Sequence, residues 1–320
     1  ARSVQRAAAF AERYASKLGT IDGPEFAAAV QELAEISELV GRAGSYASLR
    51  FSVDTRDPAN GALLQRVQER GTAIETKLLF FELEWAALSD ERAEELLAAD
   101  GLEKARHHLR TARRYRPYLL SEPEEKILAE KSVTGRDAWT RLFSEVTSAI
   151  EVELDGEEKP VPLDVALARL VSPDREVRRH VAERVTAALQ PTLRIRAFIF
   201  NTLLADKATD DRLRGYPTWI SSRNLANEAS DESVEALVQA VRDAYDIPQR
   251  WYRLKARLLG LDRLADYDRM ASVGGEEPEY SWDEARDIVL QSFGDFSGTL
   301  ADVARRFFDE RWIDAPVRPG

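Results

Sequence analysis

The sequence predicts a mainly α-helical fold carrying one β-hairpin. Three observations predict it. Apolar residues return every three or four positions through 2–18, 24–50 and 58–88, the period of an amphipathic helix. Helix-start signals recur along the chain. One segment, 148–163, instead alternates apolar and polar residues around Asp155-Gly156, a pair suited to a tight turn.

Each element has its own signal. Asp57-Pro58 predicts the start of the third helix, with an N-cap followed by proline where no amide is needed. Ser121-Glu122-Pro123-Glu124 and Ser281-Trp282-Asp283-Glu284 read as capping boxes, the second opening a helix to about Phe293. Ser172-Pro173 opens a long helical run expected to bend near Pro191. Another run from Ser230 to Gly260 is expected to break at Pro248. A second extended stretch is expected near 264–273, and an exposed acidic loop from Gly274 through Pro278. No period repeats, so a solenoid is not predicted. From the residues alone, the best domain boundary falls around 172–190.

Composition narrows function. With 45 lysines and arginines against 56 aspartates and glutamates, the net charge of −11 argues against a phosphate backbone as partner. No stretch has the roughly 20 apolar residues of a membrane helix, so no membrane partner is expected. With no cysteine, disulfides, thiolate metal sites and thiol catalysis are excluded. The single methionine is Met270, so the first residue is not an initiator and a segment is expected upstream.

The chemistry-bearing residues are sparse. His107 stands four after Glu103, and His180 four after Glu176, so each pair could share a helix face. Each is either a surface ion pair or solvated histidine, or one ligand short of a site that needs three. Gly294-Asp295-Phe296-Ser297-Gly298 misses the nucleophile elbow by one place. The arginines of 110–118 are either an anion-binding patch or cations at a helix C-terminus. Residues 214–230 offer a shaped turn at Gly215-Tyr216-Pro217, an exposed-looking Trp219, then Arg223, Asn224 and Asn227. They form either a binding surface or a helix connection whose polar groups cap helix ends.

The order of several motifs resembles the oligoendopeptidase F branch of the M3 zinc metallopeptidases over nearly the whole chain. The matching residues are Gly215-Tyr216, Lys255 with Leu259-Gly260-Leu261, Tyr267-Asp268, Trp282 with Glu284-Ala285, and Trp312-Ile313-Asp314. The upstream segments "LLFFELEWAALSDERAEELL" and "YRPYLLSEPEEKILAEKSVTGRDAWTRLFSEV" are similar to that branch's N-terminal helical region.

The resemblance implies an oligopeptidase-type multi-helical lobe over residues 1–175, with its hairpin at about 148–162. Residues 176–320 would be the incomplete start of a mostly helical catalytic domain. It implies a cytoplasmic enzyme that hydrolyses short peptides in a walled cleft. In the family a zinc ion activates water, and the glutamate of an H-E-x-x-H helix moves the proton. No such motif occurs here, so the chain is expected to be an N-terminal part ending ahead of the zinc helix. It would bind no zinc and be inactive alone, with the C-terminal catalytic part as its partner. Tyr216, Arg223, Asn224, Asn227, Tyr267 and Asp268 are the cleft candidates. Two further readings stand beside this one: a stand-alone helical scaffold that binds peptides without cleaving them, and a nucleic-acid module using the 110–118 arginines.

Overall fold

The computed structural model describes residues 2–274 and 278–314. The expected loop at Gly274–Pro278 therefore lies partly outside the described residues, as do positions 315–320. The fold is mainly α-helical with one two-stranded hairpin, as the apolar periodicity predicts. The helices divide between two compact units.

The first unit holds residues up to Glu151 and Ala187–Asp246. It opens with α1 (Arg2–Tyr14), α2 (Gly23–Val53) and α3 (Pro58–Ala87). The start of α3 is the one predicted: Pro58 occupies the first turn, and the Asp57 carboxylate accepts from the Ala59 amide at 2.8 Å. Then come α4 (Asp90–Leu97), α5 (Arg106–Arg113), α6 (Glu122–Thr134) and α7 (Arg136–Ser148). The capping box at Ser121–Glu124 is formed: the Ser121 amide donates to the Glu124 carboxylate at 2.9 Å.

Helices α1, α2 and α6 pack on α3. The core lies among α1–α5, and an aromatic cluster forms part of it. Phe26 stacks on Trp85 with centroids 5.0 Å apart, and Phe10 lies 4.9 Å from Tyr14. Trp85 is buried, and its indole Nε1 donates to the Leu109 carbonyl at 2.8 Å, leaving no polar atom unpaired. Each such ring contributes about 1.5–3 kcal/mol by leaving water.

Hairpin strands β1 (Glu151–Val152) and β2 (Val161–Pro162) are shorter than the 148–163 alternation suggests. Pro160 and Pro162 have no amide hydrogen, so the ladder stops there.

Among the described residues, the second unit holds Val152–Thr186 and those from Ile247 to Asp314. Its helices are α8 (Leu163–Ala168), most of α9 (Arg175–Leu189), nearly all of α13 (Asp246–Leu258), α14 (Trp282–Phe296) and α15 (Gly298–Asp309). In the first unit the intervening helices are α10 (Leu193–Arg214), α11 (Ser221–Ala226) and α12 (Asp231–Asp243).

Three local expectations change. Pro191 does not bend one helix; it sits in the turn separating α9 from α10. Pro248 does not break its run; the break falls at 244–245, and Pro248 lies in the first turn of α13, where its missing amide costs nothing. The stretch 264–273 is not extended. It carries a 3-10 turn at Asp266–Asp268, because the Asp268 carboxylate reaches back to the Ala265 amide at 2.9 Å. No helix among the described residues is long and apolar enough to cross a membrane.

Candidate functional site

The residues singled out in the sequence fall into two internally connected groups, one in each unit. In the first unit, α10 ends at Gly215, whose φ of 77° and ψ of 26° are left-handed. The Tyr216 amide then bonds back to the Asp211 carbonyl at 2.9 Å, a helix stop that glycine permits without strain. This reversal lays Tyr216 on Tyr118, with centroids 4.2 Å apart and planes 20° from parallel. Burial pushes the Tyr216 phenol above its ordinary range.

The turn runs into α11, whose two faces differ. Ser221 and Asn224 are buried, and the Asn224 amide donates to Asp231 at the start of α12 at 2.7 Å. Trp219, Arg223 and Asn227 follow one another at four-residue spacing and are exposed, Trp219 at 75 %. Asn224 is thus a structural tie between α11 and α12, whereas Arg223 and Asn227 face solvent.

Behind this turn stands a pair the sequence did not flag. Arg214 grips Glu125 with both nitrogens, at 2.6 and 2.8 Å, and holds Asp210 at 3.0 Å. Burial alone would raise the Glu125 carboxyl. The bonds from Arg214 and the Leu120 amide outweigh it and hold that carboxyl below the usual range. The two residues lie 89 positions apart, so no local pattern announces them.

In the second unit, Asp268 is fully buried and every oxygen is engaged. Arg175 donates to Oδ2 at 3.0 Å, Arg178 to Oδ1 at 3.0 Å, and the Ala265 amide to Oδ2 at 2.9 Å. Arg178 also donates to the carbonyls of Ser172, Pro173 and Tyr267, so it binds the entry of α9 to the 266–268 turn. Tyr267 lies under the Arg175 guanidinium, 5.2 Å from ring centre to Cζ. Buried Lys255 donates to the Arg269 carbonyl at 2.7 Å and closes the turn from the other side.

The histidines pair differently from the i, i+4 expectation. His107 meets Glu228 at 3.0 Å rather than Glu103, and His180 meets Asp155 at 3.2 Å rather than Glu176. Among the described residues no three histidine or carboxylate side chains gather where a metal ion could be held. The described residues therefore do not fit a zinc centre. Three of the four 110–118 arginines are employed locally, Arg116 lying 3.9 Å from Asp90. Arg110 grips Glu94 at 3.0 and 2.6 Å, and Arg113 binds Asp90 and the carbonyls of Trp85 and Leu88. That is the helix C-terminus reading.

The family model of Oligopeptidase F matches residues 84–151, which run from the end of α3 to β1. Group B oligopeptidase PepB of Streptococcus agalactiae serotype III (strain NEM316) is 25 % identical over 295 residues, covering 89 % of this chain and 48 % of its own length. The chain is related to the oligoendopeptidase F branch of the M3 peptidases. Oligopeptidase PepF of Bacillus subtilis (strain 168) is 23 % identical over 292 residues, covering 89 % of this chain and 44 % of its own. The chain thus spans about half the length of the curated relatives it matches.

Solved structures agree on the fold. Oligoendopeptidase-F from Enterococcus faecium superposes with a TM-score of 0.78 at 22 % identity, covering 94 % of this chain and 58 % of that one. PZ peptidase A with inhibitor 2 gives 0.79 at 14 % identity, covering 100 % and 54 %.

Proposed function

We propose that this chain is the peptide-binding, N-terminal portion of a zinc oligoendopeptidase acting on short peptides in the cytoplasm. Residues 1–175 serve as its helical lobe, and residues 176–320 begin its catalytic domain. The observation that carries this reading is the match that runs through most of the chain yet only about half of each curated relative. The zinc ion belongs to the complete enzyme and is held by residues other than these. Bound there, it supplies a Lewis acid and an activated water.

What these residues supply is a wall for the substrate. A walled cleft admits short, flexible chains and makes folded proteins costly to accommodate, which selects by size rather than by reading one side chain. Trp219 offers an apolar platform, Arg223 a guanidinium suited to a carboxylate, and Asn227 an amide able to pair with peptide backbone. Tyr216 shapes the turn that presents them. In the second unit Asp268 acts as a positioning residue, holding the turn on which Tyr267 faces its surroundings.

Calorimetric titration of a flexible ten-residue peptide into the chain tests this. Saturable binding that weakens in N227A and R223Q is expected. Absence of binding contradicts the reading.

A further inference from the structure

Outside these sites, the second unit carries a groove of about 610 Å³, within the size range of ligand pockets. Arg253, Arg257 and Arg263 line it, with Tyr252, Leu261 and Leu264. Arg253 and Arg257 stand one helical turn apart on α13, and Arg263 follows in the loop beyond it.

These three arginines converge on one groove, and among the described residues no carboxylate within bonding distance neutralises them there. Acids outnumber bases, and neighbouring arginines of the same unit find carboxylates: Arg179 holds Glu176 and Glu183, and Arg184 holds Asp155. No hydrogen bond or ion pair is formed by the side chains of Arg253, Arg257 or Arg263 among the described residues, and Asp262 is the one acid in the lining. Like charges one turn apart repel. The helix dipole accounts for Arg257 in the last turn of α13, but not for Arg253 or Arg263.

The groove is also held in shape. Gly260 has a left-handed φ of 67°, and the Leu261 amide bonds back to the Ala256 carbonyl at 2.9 Å, fixing the turn out of α13. The loop that follows is closed by Lys255 on the Arg269 carbonyl and by Asp268 on the Ala265 amide. Arg263 is therefore presented by a braced loop rather than a loose one.

We propose that this groove binds short acidic peptides, its guanidinium groups taking their carboxylates and its leucines and tyrosine taking the apolar side chains between them. Guanidinium forks match carboxylates bidentately, and a positive groove on an acidic chain draws anions to one place. The apolar lining favours a peptide over a bare oxyanion. This rests on the reading of the chain as a binder of short peptides.

The test is calorimetry on the 320-residue chain with two probes. One is an acetylated pentapeptide alternating leucine and glutamate, with a free carboxyl terminus; the other replaces glutamate by glutamine and ends in an amide. The acidic probe is expected to bind about tenfold more tightly at low salt, an advantage that shrinks as salt is added. In R253Q/R257Q and in R263Q the advantage should fall to about threefold or less, with unchanged melting curves, since these side chains have no partners to lose among the described residues. Equal binding of the two probes to the unaltered chain overturns the groove assignment but leaves general peptide binding standing. A preference that survives the substitutions overturns it too, as does arginine-dependent binding of inorganic phosphate with no preference between the peptides. Binding of neither probe overturns both readings together.

Discussion

Arg178 donates to Asp268 at 3.0 Å, and both residues are removed from water, with 2 % and 0 % of their surfaces exposed. A charge so placed is stable only while its partner is present. D268N leaves Arg178 buried without its counter-charge, and we expect about 3–5 kcal/mol of lost stability. Urea denaturation followed by circular dichroism checks this. A loss under about 1 kcal/mol would mean that the pair is not buried as described.

Acid should weaken both units through the same logic. Burial pushes the Asp268 carboxyl up, but bonds from Arg175, the Ala265 amide and Arg178 outweigh it and hold the group below the usual carboxylate range. Glu125 is likewise held down, against burial, by Arg214 and the Leu120 amide. A depressed folded-state value gives stability that is present above the unfolded value of about 4 and lost as pH falls through the folded one. The expected result is a flat melting temperature from pH 7 to about 5 and a fall below about 4. In E125Q and D268N that fall should be shallower than in the unaltered chain.

Gly215 tests the turn that presents Trp219 and Arg223. Its φ of 77° suits glycine, so G215A should cost about 1–2 kcal/mol, while G215N costs less because asparagine tolerates that conformation. The order of the two variants in chemical denaturation is the readout. Equal losses would point to a packing cause instead.

Much of the fold was legible because its signals are local. Asp57-Pro58, Ser121–Glu124 and Ser281–Glu284 each satisfy amides within three residues, and each starts a helix in the structure. Pro191 and Pro248 were misplaced because a proline's effect depends on its distance from a helix start, which a period of apolar residues does not fix to within a turn. The 264–273 stretch was misread because Asp268 folds it, and the arginines that make this worthwhile lie about 90 residues earlier. The candidate site divides the same way. The Gly215-Tyr216 turn was visible in its residues, whereas Glu125, Tyr118 and Arg214, which hold it from behind, are brought together only by the packing of α6 and α10 helix ends.

Trp219 separates binding from folding. It is 75 % exposed, so W219A should leave the melting temperature within about 1 °C of the unaltered chain while weakening short-peptide binding about tenfold. Differential scanning fluorimetry and peptide titration on the same preparation give both numbers. A drop in stability with unchanged affinity would remove Trp219 from the peptide wall.

The most direct test is to incubate the purified chain with zinc and an internally quenched fluorescent decapeptide, with and without a chelator. We predict that the peptide is bound but not cut, with fluorescence staying at the no-protein baseline. Chelator-sensitive hydrolysis by these 320 residues alone would contradict the assignment of the zinc chemistry to other residues.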